Sequence, residues 1–86
     1  MHEELIAEIE DWRPALQGLV HRQMPLISSG NLDSLGLMRL LVWIELKLGR
    51  PIRVTDVDLI RDWDTVDAIV RFIEREYALG KLARNQ

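Results

Sequence analysis

Apolar residues recur at helical spacing along the whole chain. Leu5, Ile9, Trp12, Leu16 and Leu19 step by four, three, four and three, and Glu3, Glu4, Glu8, Glu10 and Asp11 fall mostly off that stripe. Pro14 interrupts the pattern, because it lacks an N–H and crowds the preceding turn. The stripe keeps its phase across the proline, so the pattern predicts one kinked helix rather than two pieces. Met24-Pro25 closes this region, and Ser28-Ser29-Gly30-Asn31 reads as loop. A second helix is predicted from Asp33 or Ser34, either of which can cap it, to Leu48, where Gly49 and Pro51 stop it. A short element is predicted between Thr55 and Arg61. A last helix follows Asp64 or Thr65, with Val66, Ile69, Val70, Ile73 and Tyr77 on one face and Gly80 as its stop.

The fold class is therefore all-α: three main helices, one short helix and a long first loop. Pro51 to Thr55 alternates, but the run is too short for a strand and has no pairing partner. Residues 1–80 form one domain, and 81–86 are expected to be a frayed tail. Ten of the fifteen positions from Ser34 to Leu48 are apolar, too many to hide inside so small a fold. Met38, Leu41, Ile44 and Leu48 are assigned to the core. Leu37 and Trp43 lie off that stripe and are expected at the surface, where an exposed apolar group marks a contact site.

Composition narrows the function. With 86 residues the core is small, and a chain of this length has no room for a deep catalytic cleft. There is no cysteine, which excludes disulfides, thiol catalysis and Cys-based zinc sites. His2 and His21 cannot close a zinc site alone, so no metal is expected. A net charge of −3 argues against nucleic-acid binding. The longest unbroken apolar run is five residues, Leu40 to Ile44, far below the roughly 20 of a membrane span. With an acidic start and no signal pattern, the chain is expected to be cytoplasmic, and a monomer.

The chemistry concentrates in Leu32-Asp33-Ser34-Leu35-Gly36-Leu37, which places a serine at a helix start after a loop. Free N–H groups and the helix dipole there favour a phosphate on that serine; alternatively, Ser34 simply caps the helix. The segment resembles the acyl carrier protein family, including its peptidyl and D-alanyl branches. Gly30 before the motif, Leu40-Leu41, Ile44-Glu45, Leu48-Gly49 and Ile52 after it, and Trp63-Asp64-Thr65-Val66 at the last helix extend the resemblance. Gly36, Leu40-Leu41 with Ile44-Glu45, and the Trp-x-Thr signal are similar to the D-alanyl, aminoacyl and peptidyl carriers.

The resemblance implies a stand-alone, non-enzymatic carrier with an acyl-carrier-like four-helix bundle. Ser34 would bear 4′-phosphopantetheine, donated by coenzyme A through a phosphopantetheinyl transferase. The arm's thiol would hold an acyl or aminoacyl group as a thioester for a loading ligase and downstream transferases or synthases. Asp33 would help orient the serine and the transferase's metal, or cap the helix. Leu35 would pack against transferase or arm. Gly36 costs about 1 kcal/mol of helix propensity, either to admit a close approach by arm or partner or as a tolerated defect. The loop from Met24 to Leu32 would let the helices part.

One departure bears on partners. Fatty-acid carriers present acids on the second helix, whereas this one has Arg39, Lys47 and only Glu45, a formal +1. Leu37, Arg39 and Trp43 are accordingly assigned to partner contact. A helical adaptor would explain the apolar excess but not the placement of Asp-Ser-Leu. A small DNA binder conflicts with the charge. An enzyme lacks convergent carboxylates or a histidine base.

Overall fold

The computed structural model describes the backbone of residues 1–84 and the side chains of residues 1–80. Four helices form: α1 (His2–Trp12), α2 (Ser34–Leu48), α3 (Leu59–Trp63) and α4 (Val66–Arg84). Short 3-10 turns lie at Pro14–Leu16 and Val54–Asp56. No strand occurs among the described residues. The all-α expectation holds, as do both ends of α2.

The ends of α2 have local causes. Asp33 Oδ1 accepts the Gly36 amide at 2.9 Å, closing the first turn. Gly49 takes a left-handed conformation, φ 72°, and donates its amide to Glu45 O at 2.8 Å. Thr65 Oγ1 likewise accepts the Ala68 amide at 3.0 Å and starts α4.

Four expectations are corrected. Pro14 splits the first helical region instead of kinking it: α1 stops at Trp12, Arg13 is extended (φ −136°, ψ 85°), and a separate 3-10 turn follows. The missing N–H and the ring's demand on the preceding residue are met by leaving the helix. Leu16 is still buried, but Leu19 is exposed, because the chain has turned at Gly18 and the stripe no longer continues. Glu10 holds this turn, its Oε2 accepting the Gly18 amide at 3.0 Å. Finally, Gly80 does not stop α4, which runs on to Arg84, and Tyr77 lies on its exposed side. A helix tolerates an internal glycine where tertiary contact supplies the stability. Residues 85–86 of the expected tail lie outside the described residues.

The core is built around α4. Val66, Ile69, Val70, Phe72 and Ile73 meet Leu5 and Ile9 of α1, Leu40, Ile44 and Leu48 of α2, and Trp63 of α3. α1 and α2 each pack against α4 and touch one another only sparsely. Trp63 is wholly buried and meets the Phe72 ring edge-on, with centroids 5.6 Å apart at 84°. Beside it Asp62, also buried, takes both oxygens to Arg61 at 3.1 Å and lies 3.6 Å from Arg75 on α4.

The loop before α2 is not a slack segment. Leu26 and Leu32 are buried, and the Leu32 amide donates to Leu26 O at 2.8 Å. Asp64, between α3 and α4, receives the loop: its carbonyl accepts Leu26 N at 2.7 Å and its Oδ1 accepts Ile27 N and Ser28 N at 2.7 and 2.8 Å. Its Oδ2 accepts Ser28 Oγ at 2.6 Å. These bonds tie the first part of the loop to the α3–α4 junction.

Both carboxyls sit below the ordinary carboxylate range. For Asp64 burial pushes upwards, but the Ser28 hydroxyl and the amides of Ser28, Ile27 and Leu26 outweigh it. For Asp62 the Arg61 hydrogen bonds dominate, against burial and with the charges of Arg61 and Arg75. A carboxyl with a depressed folded pKa adds stability above its unfolded value, near 3.9, and loses it as pH falls through the folded value. The urea midpoint should thus owe no change to these two groups between about pH 7 and 5, then drop below about pH 4. Asp64→Ala should cost about 1–3 kcal/mol at neutral pH, and Asp64→Asn should blunt the acid-side fall; both are read from urea titrations.

Candidate functional site

Ser34 occupies the first turn of α2, immediately after the bolted loop. It is exposed, and its hydroxyl makes no hydrogen bond among the described residues. Asp33 is extended at φ −86°, ψ −171°, and spends its side chain on Gly36, so capping belongs to Asp33 and not to Ser34. The amides at the very start of a helix have no carbonyl four residues back. Those of Ser34 and Leu35 therefore point outward beside a free hydroxyl, with the positive end of a 15-residue helix behind them. Arg13 reaches the same region, Nη1 donating to Asn31 O at 2.6 Å.

Gly36 explains itself inside the chain. It is buried, and a Cβ there would stand 3.0 Å from Leu32 Cδ2 and 3.3 Å from Leu32 Cβ. The missing side chain lets the loop residue Leu32 lie against the first turn. This packing is a reason for the glycine that lies within the chain itself. Leu35 is exposed next to Ser34.

The expected partner residues divide. Arg39 is exposed; its Nη1 makes a long contact, 3.4 Å, with Trp12 O, and it meets no carboxylate among the described residues. Leu37 is half-buried against the core, and Trp43 is buried at 8% exposure beneath Lys47, whose Nζ lies 5.3 Å from the ring centroid. Both expectations of a surface position are corrected, and so is Met38, which is 59% exposed rather than internal. The inward face of α2 is Leu40, Trp43, Ile44 and Leu48, with Leu41 only half-buried. The outward face is Leu35, Met38, Val42 and Leu46; of these the sequence reading had singled out only Leu35 for contact. Its steps of three, four and four were a usable signal, but a second stripe with the same spacing competed for the core.

A groove of about 360 Å³ runs beside this face, lined by Glu8 and Trp12 of α1 and by Met38, Arg39, Val42, Trp43 and Leu46 of α2. Among the described residues no group of His, Cys, Asp and Glu could hold a metal, and no helix is long and apolar enough to cross a membrane.

The family model described as phosphopantetheine attachment site matches residues 3–73. The chain belongs to this family. It is a phosphopantetheine-bearing carrier, its prosthetic group is covalently attached 4′-phosphopantetheine, and carrier domains are not themselves catalytic. No curated protein and no solved structure matches the chain. The match spans α1 to the middle of α4, so the elements that present Ser34 all lie within it.

The residues fit the group. A phosphoester needs an accessible hydroxyl that is not already committed, and donors for the phosphate oxygens beside it. Ser34 and the leading amides of α2 supply both, while Asp33 is held aside by its capping bond. Asp33→Ala should cost about 1 kcal/mol of stability and loosen this turn. Urea unfolding checks the cost, and faster amide exchange at Leu35 and Gly36 checks the loosening.

Proposed function

We propose that Ser34 is the attachment residue and that the chain carries an acyl or aminoacyl group between separate enzymes. The observation that supports this most is the exposed, uncommitted Ser34 hydroxyl at the start of a capped helix, inside the matched family segment. Ser34 Oγ acts once as a nucleophile. It forms an ester to the phosphorus of coenzyme A that bears the pantetheine, as the pyrophosphate link to the nucleotide breaks, and a phosphopantetheinyl transferase takes up the hydroxyl proton. The terminal thiol then supplies the thioester that no residue of this cysteine-free chain could make. α2 and the bolted loop keep the attachment point fixed, and Leu35 gives the arm or an enzyme an apolar contact beside it.

A specific observation favours an aminoacyl or peptidyl type of carrier, loaded by an adenylating ligase. The one acid of α2, Glu45, is turned inward to accept the Ile52 amide at 2.8 Å, so the outer face of α2 presents no carboxylate. That face is unlike the acidic one that the resemblance leads one to expect for fatty-acid carriers. The work of the protein is in the cytoplasm on this reading, with the transferase, a loading ligase and downstream transferases or synthases as partners.

Incubation with coenzyme A and a promiscuous phosphopantetheinyl transferase, followed by intact mass measurement, tests the assignment. One phosphopantetheinyl group should be gained, and Ser34→Ala should gain none while unfolding at the same urea concentration. An unmodified wild-type chain, under conditions that convert a control carrier, overturns it.

A further inference from the structure

Nine basic side chains are described, and seven of them lie within 4.0 Å of a carboxylate. Arg13 and Arg39 meet none among the described residues. Both lie around the end of α1: Arg39 reaches the Trp12 carbonyl from α2, and Arg13 follows Trp12 in the chain. Two uncompensated cations thus stand on the side of the molecule where α2 begins, and an anion placed there would be neutralised by them.

Arg13 is the better held of the two. Pro14 takes it out of the helix, at φ −136°, ψ 85°, and it is half-buried. Its Nη1 donates to the Asn31 carbonyl at 2.6 Å, and its guanidinium makes no other hydrogen bond among the described residues. A guanidinium carries five N–H donors, so most of them remain for a ligand. Asn31 stands three residues before Ser34, and their Cα atoms can be at most about 11 Å apart. The backbone between them is fixed by the Leu32 amide on Leu26 O and by the Asp33 cap. Arg13 is therefore anchored to the segment that leads into Ser34.

Direction separates the two arginines. The N–H groups of a helix point back toward its own start. The unbonded amides of Ser34 and Leu35 face the side from which the loop enters, and Arg13 is tied to that loop. A phosphate on Ser34 Oγ that meets those amides lies on this side. Arg39 lies the other way, five residues into α2 and about 7.5 Å along its axis. It is exposed, and its one contact is long, at 3.4 Å. The phosphodiester that joins a serine to phosphopantetheine keeps one negative charge and two unesterified oxygens. A planar guanidinium fork matches that pair of acceptors.

We propose that Arg13 is a positioning residue for the root of the arm: anchored on the Asn31 carbonyl, its guanidinium holds the phosphodiester of phosphopantetheine on Ser34 against the leading amides of α2. The inference rests on the reading of Ser34 as the attachment residue and deepens it, by naming a residue far from Asp-Ser-Leu in the chain. The anchor on Asn31 is in place before the group is attached, so little side-chain ordering remains to be done. Holding the diester fixes the direction in which the arm leaves the surface, and its swing begins beyond the phosphate.

The test is a cycle of two changes: Arg13→Gln, and conversion of the chain to its phosphopantetheinylated form with coenzyme A and a promiscuous transferase. Urea midpoints of the four species are compared. Conversion should raise the wild-type midpoint, and Arg13→Gln should remove at least half of that rise. Arg39→Gln, which deletes the other uncompensated charge, should leave the rise intact. An Arg13 that only ties down the loop lowers both midpoints equally, and that result overturns the proposal. A rise lost equally in Arg39→Gln, or no rise in the wild-type chain, overturns it as well. Nitrogen NMR of the wild-type chain needs no variant. The Arg13 Nε–H resonance should shift and exchange more slowly with water on conversion, while that of Arg22, held by Glu3 at 3.7 Å, should stay in place. An unmoved Arg13 resonance overturns the proposal. Intact mass of the same samples separates the two readings. A wild-type chain that gains no group, or a Ser34→Ala chain that gains one, removes the attachment assignment. A modified Ser34 without coupling to Arg13 removes only the role of Arg13.

Discussion

The Asp64 carboxylate is what holds the remaining geometry together. A long connection between the first two helical regions must expose backbone donors, and a small core has little to hold it with. Asp64 takes two amides and a hydroxyl of that connection, and its own carbonyl takes a third amide. The loop is thereby fixed to the α3–α4 junction, and Leu26 and Leu32 can be buried beneath it. Leu32 in turn packs on Gly36. The position of Ser34 therefore depends on a side chain thirty residues further along the chain.

The parts legible in the sequence are those whose causes are local. Asp33, Gly49 and Thr65 act within one turn, so the limits of α2 and the start of α4 could be read from residue types alone. Asp-Ser-Leu was legible for the same reason. Pro14 was visible as a disturbance, but whether a helix bends or breaks there depends on what the chain meets next, and at Arg13 it turns away. The facing of α2 was harder. Two apolar stripes of equal spacing run along it, and only the placement of the other helices decides which is buried. Trp43 went inward and Met38 outward because α4 and α1 supply the neighbours, not because either residue prefers its place.

The loop shows the same limit more sharply. Ser28, Ser29, Gly30 and Asn31 have the composition of a flexible turn, and composition cannot reveal that Asp64 is waiting for Ser28. The serine and asparagine side chains add bonds of their own, with Ser29 Oγ and Asn31 Nδ2 both donating to the Pro25 carbonyl at 2.6 and 3.0 Å. Polar loop residues here are the means of order.

An unbroken helix from Ser34 to Leu48 is also a lever. Twelve residues separate Ser34 from Leu46, about 18 Å along the axis. Held only at the far end, such a rod would magnify error: a tilt of ten degrees there would swing the serine by about 3 Å, the width of an atom. A grip spread over the rod's length removes that freedom. The reach of the arm can then be spent on travel between active sites instead of on correcting its own aim.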